Sequence, residues 1–226
     1  MPRVGETSVT TASQGPHDPA DRAAQDGRLT RAARTRAAVV DALLTLNERG
    51  NLRPTARDIA TEAGVSLRSL YVHFDDLEAL FVAAAERHTD RLASLVGPLI
   101  IQGDLANRIE TLLSRHAILY EAGAGVRRAA LLQEPFSPTL QKALTMGRKL
   151  ARSTIRQMFA PELAAAGPEA GDALARALEV ATSAATWDAL RTFQQLSVEA
   201  ATDQVREMVQ AFFERWGPPT ANGRQT

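Results

Sequence analysis

Cysteine is absent from the 226 residues. That excludes disulfides, thiolate-bound zinc and cysteine nucleophiles, and it fits a protein of the cytoplasm. Aromatic residues make up only 5%. A β-sandwich draws on Val, Ile, Thr and Tyr, whereas the Ala and Leu that dominate here favour helices. No stretch approaches the ~18 uninterrupted apolar residues of a membrane span. The N-terminus also lacks the basic start and apolar segment of a secretory signal. Net charge is missing too, with 26 basic and 26 acidic residues. Taken globally, that balance argues against a nucleic-acid partner.

The distribution of charge argues the other way. Between residues 28 and 74 stand eight arginines (28, 31, 34, 36, 49, 53, 57 and 68) and four acids, Asp41, Glu48, Asp58 and Glu62. This stretch carries +4, which leaves −4 on the rest. A basic N-terminal module on an acidic body is the asymmetry expected of a nucleic-acid reader. Hydrophobic content, at 45%, is enough for a buried core.

Residues 1–27 are rich in Thr, Ser, Gly, Pro, Asp and Ala without apolar periodicity, and read as a disordered tail, as do residues 218–226. A helix is expected from Arg31, with Val39, Val40, Leu43, Leu44 and Leu46 on its inner face and Gly50 as its stop. Thr55 can cap a short second helix, with Asp58 three residues on as its capping-box partner. Ile59, Ala60 and Ala63 face inward, Gly64 ends the helix, and Ser66 caps a third from Leu67 to Phe74. A fourth is expected from about Asp76 to Leu95.

The body continues in the same style. The pattern predicts helices from Leu105, then a separate short one over 126–133, then 139–159, a loop over 161–168, one long helix over 169–193, and a last helix capped by Ser197. The reading is all-α: residues 28–75 as a three-helix helix-turn-helix domain, and residues 76–217 as a helical bundle.

The central stretch reads P-T-A-R-D-I-A-T-E-A-G-V-S-L-R-S-L-Y-V-H-F. Small Ala60 and Ala63 let two helices approach, Gly64 permits the tight turn between them, and Val65 fills the angle. Leu70 and Phe74 anchor the next helix, which leaves Leu67, Arg68, Ser69, Val72 and His73 outward, as major-groove reading requires. The A-x-x-A-G-V-S followed by L-Y-x-H-F resembles the tetracycline-repressor (TetR) family of regulators over about residues 31–95.

The resemblance implies a homodimeric repressor released from a near-palindromic double-stranded DNA operator by a small ligand. It implies that Thr55 and Ser66 bond phosphates at helix starts, and that Tyr71 and His73 touch the sugar-phosphate backbone. Leu67, Arg68 and Val72 would face base edges, with Ser69 between the two roles. One departure stands out: the family's phosphate-clamping lysine near the fourth helix is replaced by Phe74-Asp75-Asp76-Leu77-Glu78. Grip is then expected from the arginines at 28–36 and from Arg53. Asn47 stands where an apolar residue is usual, so the first helix is expected to pack differently.

In the body, His116, Tyr120, Phe136, Met146, Met158 and Phe159 are the candidates to line a cavity for an apolar or aromatic effector. They are equally what a helical core uses. Ala177, Ala181, Ala184 and Ala185 form a smooth face, and the last helix carries Val209 and Phe213 beside its main stripe. The two last long helices are therefore expected to pair with their copies in a homodimer. An enzyme is not expected, and neither is a cofactor or metal. No histidine among His17, His73, His88 and His116 has Glu three residues before it, as a di-iron bundle would need. Phosphate-loop, H-E-x-x-H and G-x-S-x-G patterns are absent, and Gly123-Ala124-Gly125 is too short for a nucleotide site. A body that answers to a protein partner rather than a small molecule is the alternative.

Overall fold

The computed structural model describes residues 19–217. The tail expected over residues 1–18 and 218–226 lies outside the described residues. The first helix, α1 (Pro19–Glu48), begins well before Arg31, so residues 19–27 join a helix rather than the tail. Its second half buries Val39, Val40, Ala42, Leu43 and Leu44. It stops where Gly50 adopts φ +91°, while the Asn51 amide closes back on the Leu46 carbonyl at 2.9 Å.

Three short-range caps shape the next three helices. In α2 (Ala56–Glu62) the Thr55 hydroxyl accepts from the Asp58 amide, and the Asp58 carboxylate accepts from the Thr55 amide at 2.8 Å. Gly64, at φ +66°, turns the chain into α3 (Leu67–His73), where Ser66 accepts from the Ser69 amide at 3.0 Å. Asp76 starts α4 (Leu77–Val96) by accepting from Ala79 at 2.8 Å. That acid, standing where the resemblance implied a lysine nearby, is an N-cap. Ile59, Ala60, Leu70, Phe74, Leu80, Ala83 and Ala84 close a first core with α1.

The body is a second core. It is built from α5 (Leu105–Gln133), a 3-10 turn (Glu134–Phe136), α6 (Pro138–Met158), α7 (Ala160–Ala166), α8 (Pro168–Ala181), α9 (Ala184–Asp188), a π-helical turn (Ala189–Phe193) and α10 (Val198–Trp216). Leu112, Leu113, Ile155, Met158, Phe159, Leu174, Leu178, Val205, Val209 and Phe213 fill it.

Three boundaries differ from the sequence reading, each for a physical reason. Residues 105–133 are one helix, although Gly123 and Gly125 lie inside it. A Cβ on Gly125 would come within 2.5 Å of the Asn47 carbonyl oxygen, so glycine here permits close backbone approach to α1 rather than breaking α5. Residues 160–166 are helical, because Pro161 sits in the first turn, where its missing N–H costs nothing. Finally, the helix expected over 169–193 is broken. The Thr182 hydroxyl donates back to the Leu178 carbonyl at 2.8 Å, and Ser183 starts α9 by capping Thr186.

Candidate nucleic-acid interface

The reading helix is fixed from behind and bare in front. Leu70 and Phe74 are fully buried against α1 and α4, while Arg68, Leu67, Tyr71 and Val72 are exposed, Val72 at 73%. Ser69 and His73 are half-buried at the margin. Thr55 and Ser66 are exposed at the starts of α2 and α3. All eight residues singled out in the sequence thus belong to α2, α3 or their caps. An exposed valine and an exposed leucine beside an arginine contribute nothing to the fold's own core; they suit apolar and hydrogen-bonding contact with base edges.

The charges around this face sort into two groups. Arg49 is engaged by Glu62 at 3.0 Å, and the Arg36 guanidinium stacks 4.7 Å from the Phe74 ring centre. Arg53, Arg57 and Arg68 are exposed and make no ion pair among the described residues. Hydrogen bonds from the Thr55 backbone and hydroxyl hold the Asp58 carboxyl below the usual range, so the capping acid is ionised.

Helix α4 is tied to α1 within the module and joins the module to the body. Arg87 and Arg91 of α4 reach Asp41 of α1, at 2.9 and 3.7 Å. His88 of α4 packs on Gly123 of α5, and burial, with Arg91 and Arg127 nearby, pushes its imidazole down to about 4. Glu78, in the first turn of α4, accepts from the Ser137 hydroxyl at 2.9 Å and from the Thr139 amide at 2.8 Å, which caps α6 from outside. Burial opposes ionisation of Glu78, yet the Thr139 and Ser137 hydrogen bonds win and hold its carboxyl below the ordinary value. Asn47 is 7% exposed at the α1–α5 crossing, and its Oδ1 has no hydrogen-bond partner. That is the local consequence of a polar residue at an apolar position.

The six body residues do not converge on one cavity. His116 and Tyr120 do meet, with ring centres 5.0 Å apart, at a void of about 10 Å³ with room for about one water. Leu113, Ala181, Thr182, Ser183, Trp187 and Val205 complete its lining, and the sequence reading missed Thr182, Ser183 and Trp187 because the α8–α9 break that brings them there leaves no periodic signal. Met158 and Phe159 are core residues, Phe159 edge-on to Phe213 at 5.2 Å. Phe136 and Met146 are on the surface, exposed at 78% and 64%. The breadth of the last helix also has an internal cause: Ala201, Val205, Val209 and Phe213 are buried within the chain itself.

No helix among the described residues is long and apolar enough to cross a membrane. The capped two-helix turn, with one face anchored and the other bare, defines a helix-turn-helix DNA-binding regulator. Residues 40–84 match the profile of bacterial regulatory proteins of the tetR family, which identifies the N-terminal module as that family's DNA-binding domain. The fold agrees. A transcriptional regulator from Rhodococcus sp. Rha1 superposes with a TM-score of 0.63 at 17% identity, covering 84% of this chain and 98% of that one. A tetR-family transcriptional regulator from Streptomyces coelicolor gives 0.62 at 20% identity, over 80% and 81% of the two chains. At these identities the likeness speaks for the fold alone. No curated protein matches the sequence significantly.

Proposed function

We propose that the chain is a homodimeric repressor that reads a near-palindromic operator with α3 and is released by a small molecule bound in the body. The observation that carries the reading is the bare outer face of α3, with Leu67, Arg68, Tyr71 and Val72 outward while Leu70 and Phe74 hold the helix in place. Two copies set two such helices in successive major grooves, roughly 34–36 Å apart. Arg68 pairs with a guanine edge, Val72 with a thymine methyl, and Thr55, Ser66, Tyr71 and His73 with the backbone. The chain acts in the cytoplasm, and its role is regulatory rather than catalytic.

The dimer forms through the outward sides of α8–α9, the π-helical turn and α10, where Val180 of α8 and Phe193 of the turn are exposed at 68% and 84%. The effector is apolar or aromatic and enters beside His116 and Tyr120, the two candidates that meet at one void. Its binding favours a body state in which Glu78 and the α1–α5 crossing shift α4, which spoils the spacing of the two reading helices.

The test is selection of a preferred site from random duplex DNA, followed by Arg68→Ala on that site. The expected loss is ~1–3 kcal/mol of discrimination at one base pair in each half-site. Unchanged affinity and preference would remove Arg68 from the base-reading set. Sedimentation as a monomer at micromolar concentration would remove the dimer.

A further inference from the structure

Helix α10 turns an acidic face to solvent. Its buried stripe is Ala201, Val205, Val209 and Phe213. Opposite that stripe stand Asp203, Glu207, Gln210 and Glu214, all exposed. Asp203 is engaged by Arg206, which also holds Glu110. Glu207 meets only the Gln204 amide, at 3.4 Å, and Glu214 makes no ion pair among the described residues. These two acids stand about 10.5 Å apart along one side of the helix. Arg215 lies about 100° round from Glu214 and so flanks this face rather than neutralising it.

Helix α8 packs along α10 within the chain. It buries Gly171, Leu174, Ala175, Leu178 and Ala181, and opposite them Glu169, Asp172, Arg176 and Val180 are exposed. Two of its acids have partners on α6: Asp172 meets Arg156, and Glu179 meets Arg152 and Arg156. Glu169 sits in the first turn of α8, where the helix dipole favours an acid. Arg176 is different. It stands in the middle of the outward face and makes no ion pair among the described residues, although Asp172 and Glu179 lie one turn to either side. One helix thus presents an unpaired cation, and its neighbour presents two unpaired acids.

We infer that Arg176 sets how two protomers meet, by pairing across the dimer axis with the partner's Glu207 and the partner's Glu214. The inference rests on the homodimer reading above. A two-fold axis makes the contact reciprocal, so α8 lies on the second copy's α10 and α10 on its α8. Pairing α10 with its own copy would instead set acid against acid, which costs several kcal/mol. Val180, one turn beyond Arg176 and 68% exposed, supplies apolar contact, and the small Ala173 and Ala177 let the helices approach. A second copy is the occupant because it brings the complementary acidic helix with it.

The experiment is sedimentation equilibrium of the full chain as wild type, as Arg176→Glu, as the double variant Glu207→Arg with Glu214→Arg, and as an equimolar mixture of the two variants. Each variant alone faces like charge with like, and its dimer dissociation constant should rise ~100-fold or more. In the mixture every contact is again between opposite charges, so a heterodimer of nearly wild-type affinity should form. The milder Arg176→Gln adds no repulsion and should weaken the dimer only ~10-fold. If the wild type is a dimer and the charge-reversed variants dimerise as tightly, Arg176 is not at the interface and the dimer reading stands. Variants that separate alone and stay separate when mixed would overturn the pairing of α8 with α10. If the wild type is a monomer, the inference and the dimer reading fall together.

Discussion

The polar side chains that start the helices of the DNA-reading module act within their own turn, and the ion pairs that bind the body together act across the chain. Thr55 with Asp58, Ser66 with Ser69 and Asp76 with Ala79 are each three residues apart. In the body, Arg108 donates to the Met158 carbonyl at 3.0 Å and pairs with Glu162, 50 and 54 residues on. Arg127 meets Asp188 at 2.6 Å, Trp187 donates to Glu121 at 2.8 Å, and Arg206 reaches back to Glu110 over 96 residues. The module is thus a set of locally determined pieces presenting one bare face. The body adds pairs that are distant in sequence, the largely buried Arg108–Glu162 pair among them.

The contrast can be broken most forcefully at Arg108, which is 8% exposed. Arg108→Ala strands the Glu162 carboxylate and should cost ~3–5 kcal/mol in urea unfolding followed by Trp187 and Trp216 fluorescence, both tryptophans being in the body. A loss under about 1 kcal/mol would mean that the body does not depend on this pair.

Acid should act next, and on the same side of the contrast. Burial holds His88 of the joint and His116 of the body neutral, each pushed down to about 4 from 6.5. The unfolded chain takes up those protons first, so their contribution is complete above pH 6.5 and declines as pH falls toward 4. Between about pH 7.5 and 5 the expected loss is roughly 1–2 kcal/mol per histidine. The variants His88→Gln and His116→Gln should each flatten that dependence, and a flat wild-type profile would refute the assignment.

A smaller effect is expected at the seam. Gly125→Ala brings a Cβ against Asn47 and Glu48 backbone, at 2.5 and 2.8 Å, and should cost ~1–3 kcal/mol. It should also weaken DNA binding by displacing α1, measured on the selected duplex. Full stability in this variant would show the two helices free to part. The smallest change belongs to the module: Thr55→Ala removes one cap, costs ~1 kcal/mol, and should leave the tryptophan signals of the body untouched.

Legibility follows the same division. Thr55, Asp58, Gly64 and Ser66 announce the helix-turn-helix because each acts on a backbone group three residues away or on its own φ. The exposure of Arg68, Tyr71 and Val72 follows from helical periodicity once Leu70 and Phe74 are taken as anchors. Residues 19–27 read as tail because their sequence carries no apolar stripe. Gly123 and Gly125 resemble a helix end, since a close crossing with α1 leaves no local mark. The effector set fails as a set because Phe136, Met146, Met158 and Phe159 share a composition with His116 and Tyr120 but not a location. Residue type marks a side chain as fit for a cavity, and only packing decides which ones face it.

By itself the sequence determined that this protein is all-helical, where its DNA-reading turn lies, and which residues that turn presents, because capping, glycine conformation and helical period are local interactions. The tertiary structure decided the rest. It broke the helix at Thr182–Ser183 beside His116, set Glu78 on the start of α6, and brought Arg36 onto Phe74. These are contacts between residues tens of positions apart, and their energies exist only once the chain has closed on itself.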